Sequence, residues 1–99
     1  MSKEGQDYMD FVKETWIGDP IGNDSIGHAI VGLCGEAGEL ANAYKKGRFY
    51  PTKRVSREDI MDELGDVLYY VHAVAHCAQL DMEYVALCNV VKLKERNKK

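Results

Sequence analysis

Two stretches decide the fold: GEAGELANAYKKG, residues 35–47, and DELGDVLYYV, residues 62–71. Around the first, Ile26, Ile30, Leu33, Ala37, Leu40 and Tyr44 recur at steps of three and four, the spacing of one helix face. Asp24 or Ser25 stands ready as N-cap, Lys45 and Lys46 suit the last turn, and Gly47 reads as the residue just past the end. Around the second stretch, Ile60, Leu64, Val67, Val71, Val74 and Ala78 form a like stripe. Ser56 is its N-cap, with Glu58 and Asp59 in the first turn. Two helices follow, each spanning about 30 Å at 1.5 Å per residue. They are joined by the Gly- and Pro-containing, basic segment 47–55.

Working outward, Tyr8, Phe11, Val12 and Thr15 predict a short helix over about Asp7 to Thr15. TWIGDPIGND (15–24) then reads as a loop. Asp81 stops the second long helix and N-caps another, Met82 to about Arg96. No strand alternation, repeat or low-complexity tract appears. The expectation is one all-α domain over residues 1–99: a hairpin of two long helices with a shorter N-terminal and a C-terminal helix. One hairpin leaves apolar flanks uncovered, so a homodimer or homotetramer with a four-helix-bundle core is expected.

Composition narrows the classes. Apolar residues make up 45% and charged residues 29%, which excludes a disordered chain. A net charge of −3 gives no global field for nucleic acid or an anionic membrane. Local basic clusters (Lys45–Lys46 with Arg48, Lys53–Arg54 with Arg57, Lys92–Lys94–Arg96) leave room for a small polyanion. Cys34, Cys77 and Cys88 lack metal-site spacing and fall among apolar residues, so buried, reduced thiols are expected. The apolar run Val67–Leu80 is too short to span a bilayer, and the N-terminus carries no signal core. A cytoplasmic protein is expected.

The chemistry lies in two acidic pairs, Glu36 with Glu39 and Glu63 with Asp66, each at i, i+3. Either pair alone would read as solvated surface. On helical wheels, however, both pairs fall to the same rotational side of their stripes, and both lie about two and a half turns from the connecting segment. A hairpin therefore sets four carboxylates abreast. Such a cluster repels itself unless a cation holds it, and carboxylate oxygens without thiolate or imidazole suit Mg²⁺ or Mn²⁺ rather than Zn²⁺. Gly32, Gly35, Gly38 and Gly65 each cost about 1 kcal/mol inside a helix. They read as places of close helix approach or as room for a ligand beside the metal. His72 and His76 lie away from the acidic side and read as interface or exposed polar face; His28 reads as peripheral.

These motifs resemble the MazG-like all-α nucleoside triphosphate pyrophosphohydrolases, whose hallmark is an ExxE pair on one helix and an ExxD pair on the next. Glu36-Ala-Gly-Glu39 and Glu63-Leu-Gly-Asp66 reproduce it. The resemblance covers the second to fourth helices. It implies that Glu36, Glu39, Glu63 and Asp66 bind Mg²⁺ (or Mn²⁺), and that Glu36 or Glu39 is the general base. It further implies that a cation-acidified water attacks the α-phosphorus of a (deoxy)nucleoside triphosphate, releasing the monophosphate and pyrophosphate. Asn89, Lys92 and Arg96, on one face of the last helix, resemble the family's triphosphate-contacting element. Tyr70 matches a position where some relatives keep an aromatic hydroxyl near the substrate. Trp16 is a candidate base-stacking ring or, as the commoner alternative, a hydrophobic plug. Clearing or balancing of nucleotide pools is the implied role.

Other classes compete. A di-metal, ferritin-like carboxylate bundle calls for Glu-x-x-His pairs, and here the partner positions are Glu39 and Asp66. A non-catalytic nucleotide- or protein-binding module would keep the bundle without the reaction. A helix-turn-helix DNA binder fits poorly with net acidity.

Overall fold

The computed structural model describes residues 3–16, 24–49 and 55–97. Among them the chain is all-α: α1 (Lys3–Thr15), α2 (Ser25–Phe49), α3 (Arg57–Ala78) and α4 (Met82–Arg96). The loop expected over 15–24 and the segment 47–55 lie mostly outside the described residues, as does the end of the tail.

Local chemistry accounts for most boundaries. Ser56 closes a reciprocal capping box: Asp59 N–H donates to Ser56 Oγ at 3.0 Å, and Ser56 N–H donates to Asp59 Oδ2 at 3.0 Å. Hydrogen bonding from the Ser56 backbone N–H first, and then from the Ser56 side chain, holds the Asp59 carboxyl below its ordinary value. At the far end of α3, Gln79 takes the left-handed conformation (φ 58°). Asp81 caps α4 by accepting from Glu83 N–H at 2.9 Å.

Two boundaries differ from expectation. α1 begins at Lys3, its first turn carrying the favourable Glu4 and a Gln6–Asp10 side-chain bond one turn apart. α2 runs through Gly47 to Phe49. Gly47 is half-buried, and Lys46 and Arg48 complement the dipole of the final turn, so the expected stop does not operate.

α2 and α3 pack antiparallel. The register is visible where Ser25 Oγ meets Cys77 Sγ at 3.0 Å and where Gly32 faces the Tyr70 ring. The seam follows the apolar stripes of the sequence only in part, sharing Leu33, Leu40, Val67 and Val74 with them. It runs through Ala29, Gly32, Leu33, Glu36, Leu40 and Ala43 on α2, and through Glu63, Val67, Tyr70, Val74 and Cys77 on α3. Ile26, Ile30, Tyr44, Ile60 and Leu64 are left exposed. At Gly32 the helices approach closely, since a Cβ there would overlap the Tyr70 ring.

α1 lies across α3 and buries Met9 and Val12 against Ala73 and Ala75. It also covers His72, which is 8% exposed. His72 Nδ1 donates to the Leu68 carbonyl at 2.9 Å, and its ring meets Tyr8 edge-on at 4.8 Å. The expectation of an interface or exposed polar histidine is corrected: α3's own periodicity cannot show which face α1 will cover. The thiols are corrected likewise. Cys34 and Cys88 are exposed, and Cys77 is half-buried at the α2–α3 seam. No described helix is long and apolar enough to cross a membrane.

Two stability outcomes follow. Ser56→Ala should lower the urea-unfolding free energy by about 1 kcal/mol. Gly32→Ala should cost roughly 1–3 kcal/mol, since a Cβ there would overlap the Tyr70 ring. An unchanged urea midpoint for Gly32→Ala would mean that the close approach contributes nothing.

Candidate metal centre

Glu36 on α2 and Glu63 and Asp66 on α3 converge. Each offers a carboxylate oxygen, and the three oxygens lie within 4.8 Å of one another. Glu36 and Glu63 are half-buried in the seam, whereas Asp66 is exposed at its edge. The acids thus occupy positions that in an ordinary hairpin would be apolar.

Electrostatics records the strain. The Glu63 carboxyl is raised above its ordinary value by desolvation first, then by the charges of Asp66, Asp62, Glu39 and Glu36. Glu39 is exposed and stands outside the three-oxygen cluster, yet its charge still acts on Glu63. An all-oxygen donor set with excess negative charge fits a hard divalent cation such as Mg²⁺ or Mn²⁺ and disfavours Zn²⁺. Gly38 and Gly65, between the acids of each pair, have open space where a Cβ would stand. Of the two roles expected for these glycines, close helix approach is met by Gly32 alone.

Aromatic rings extend from the acids along α3. Tyr70 follows Asp66 by one turn and meets Trp16 at 5.9 Å and Tyr69 at 5.7 Å, ring centre to ring centre. Trp16 also meets His28 edge-on at 5.6 Å. Tyr69 shares a 2.7 Å hydrogen bond with Thr15 Oγ1, which ties α1 to α3 beside the site. Tyr8 went unmarked by the sequence motifs. Its hydroxyl is raised above the ordinary tyrosine value by burial, then by Tyr69 and Asp66, which places it within electrostatic reach of the acids. Its membership of α1's apolar face was the only signal, and that signal spoke of packing.

Asn89, Lys92 and Arg96 share an exposed face of α4. That helix packs on neither α2 nor α3 beyond a glancing contact, so within one chain these three residues do not join the acids.

Residues 26–99 match the MazG nucleotide pyrophosphohydrolase domain. The chain belongs to the MazG family. The matched region takes in both acidic pairs and α4, while α1 and Trp16 precede it. The chain is also similar to the Gene 37 protein of Mycobacterium phage L5, with 34% identity over 82 residues, covering 80% of this chain and 72% of that protein. That name carries no activity. No solved structure matches significantly.

For this MazG domain, the raised Glu63 carboxyl fixes the sign of a pH effect. The folded state holds that proton more tightly than the unfolded chain. In EDTA, the stability contributed there should be present at the acid side of the ordinary glutamate range and fall as pH rises through the raised value. Mg²⁺ or Mn²⁺ should then raise the melting temperature at neutral pH and remove the downward slope. Thermal melts across pH, with and without the ion, check both. A Glu63→Gln protein that still showed the full ion-dependent gain would remove Glu63 from the site.

Proposed function

We propose that this MazG domain hydrolyses (deoxy)nucleoside triphosphates to the monophosphate and pyrophosphate in a Mg²⁺-dependent reaction, with Mn²⁺ as a substitute. The observation that carries the reading is the convergence of Glu36, Glu63 and Asp66 where two helices meet. Self-repulsion there is relieved by the same kind of cation that accompanies a triphosphate.

Glu36, Glu63 and Asp66 would hold the ion, with Glu39 completing the charge from the next turn of α2. When bound, such an ion neutralises phosphate oxygens and acidifies water. Glu39 is exposed and free of the cluster, so it is the better placed of the two α2 acids to take the proton from the attacking water; Glu36 is the alternative base. A new O–P bond then forms at the α-phosphorus as its bond to the β-bridging oxygen breaks, and pyrophosphate leaves. Tyr70 and Trp16, one turn and more beyond the acids, offer a wall for the nucleoside. Lys92 and Arg96, with Asn89 beside them, would meet the phosphate chain, Arg in a two-pronged grip. On one chain they stand apart from the acids, so this role calls for a homodimer or homotetramer. Control of nucleotide pools in the cytoplasm is the physiological reading.

A di-metal redox bundle finds less support, since no histidine joins the three carboxylates in the described cluster.

Pyrophosphate release from a panel of ribo- and deoxynucleoside triphosphates, with Mg²⁺ and with EDTA, tests the reaction. Turnover should require the ion and give the monophosphate as the other product. Glu36→Gln or Asp66→Asn should lower kcat/KM by at least about a hundredfold, more than is usual for residues that only orient metal ligands, while helical circular dichroism is kept. Monophosphate failing to appear with any substrate, or full activity in both variants, would overturn the assignment.

A further inference from the structure

Trp16 is the single tryptophan of the chain, and it stands one residue past α1, ahead of the matched region. Its backbone N–H donates to the Val12 carbonyl at 2.8 Å, so the residue rides on the last turn of α1. Whatever fixes that end of α1 therefore places the indole. Burial of Met9 and Val12 presses α1 onto α3, but burial is non-directional. The directional link is the 2.7 Å hydrogen bond between Thr15 Oγ1 and the Tyr69 hydroxyl.

Counting protons gives that bond a sense. Thr15 Oγ1 also lies 2.8 Å from the Phe11 carbonyl and 3.4 Å from that of Val12. A carbonyl only accepts, so the threonine proton is used within α1, and Tyr69 is the donor across the helix pair. The Tyr69 ring meets Tyr70 at 5.7 Å, and Tyr70 meets Trp16 at 5.9 Å with the planes at 88°. Thr15, Tyr69, Tyr70 and Trp16 thus form a closed set of contacts, which fixes the angle between the last two rings. The indole needs such a hold: Trp16 Nε1 is buried with no hydrogen-bond partner among the described residues, and an unpaired buried N–H is costly. Beside the two rings, His28 and Gly32 line an open cavity of about 570 Å³ with Asp24, Gly27 and Val31.

We propose that Tyr69 is a positioning residue: by donating to Thr15 it fixes the end of α1 and holds the Trp16 ring edge-on to Tyr70 as a ready-made wall for the nucleoside. The inference rests on the wall proposed above and goes beyond it, since Tyr69 acts through Trp16. A wall ordered before the nucleotide arrives adds no ordering cost at the moment of binding. The phosphate chain is held elsewhere, so loss of the tether should be felt by a nucleotide and not by its phosphates alone.

Two measurements on the full chain decide it. Acrylamide quenching of Trp16 fluorescence should become more effective in Tyr69→Phe, which keeps the ring, and in Thr15→Val. Thr15→Ser keeps the acceptor and should quench like wild type. Calorimetric titrations with Mg²⁺ then compare the four common α,β-imido deoxynucleoside triphosphates with inorganic triphosphate. In Tyr69→Phe and Thr15→Val, affinity for the best-bound analogue should fall about two- to fivefold, the lower range for one hydrogen bond because this one is exposed. Inorganic triphosphate should bind all the proteins alike, and the double variant should lose no more than either single, since both remove the same bond. Unchanged quenching in Tyr69→Phe, an equal loss for inorganic triphosphate, losses that add in the double variant, or a wild type that binds none of the four analogues would each overturn the proposal. Analogue binding that weakens in Tyr69→Phe, in a protein that turns over no triphosphate, would sink the reaction proposed above and support this inference.

Discussion

Like charge confined to a helix seam is the constraint on which the rest of this structure depends. Glu36, Glu63 and Asp66 bring three carboxylate oxygens within 4.8 Å, two of the side chains half-buried between packed helices. Without a counter-charge such a grouping opposes folding, and the Glu63 carboxyl is raised above its ordinary value by desolvation first and by the neighbouring acids after it. The hairpin tolerates it because the remainder of the seam is made of small and medium side chains that bring the helices together above and below the acids. A divalent ion bound there would turn the liability into an affinity, since repulsion relieved on binding would add to the attraction between ion and ligands.

That arrangement has a cost in core. With acids in the seam and several bulky aliphatic residues exposed, the buried hydrophobic set among the described residues is Met9, Val12 and three alanines. α1 compensates in part: it covers His72, contributes Met9 and Val12, and links Thr15 to Tyr69 beside the acidic cluster. Helix α1 therefore does two things at once, sealing one side of α3 and lining the approach to the site with Tyr8 and Trp16. Membership of the MazG family explains α2 to α4, whereas α1 lies before the matched region and is understood only from its contacts.

On the other flank, no described part of the chain replaces the lost burial. Ile26, Ile30, Ile60 and Leu64 are exposed, as is nearly all of α4. The proposed triphosphate contacts sit on that same exposed helix.

Much of this was legible in the residues alone. Helix count, the N-cap at Ser56, the Asp81 cap, the antiparallel hairpin and the meeting of the two acidic motifs all follow from local rules: period 3.6, side-chain capping and equal distance from a turn. Local rules fail where a second element chooses the face. Whether α3 buries Leu64 or Glu63, whether His72 is exposed or sealed, whether Gly47 ends α2, and where Tyr8 comes to rest are decided by packing against a partner helix. Sequence periodicity on one helix carries no record of that partner. The sequence by itself determined which carboxylates would share a height and a side; only the tertiary structure decided that Glu36 and Glu63 stand half-buried in the seam with Asp66 at its edge and Glu39 outside the cluster, because the rotation of each helix is set by packing against the other.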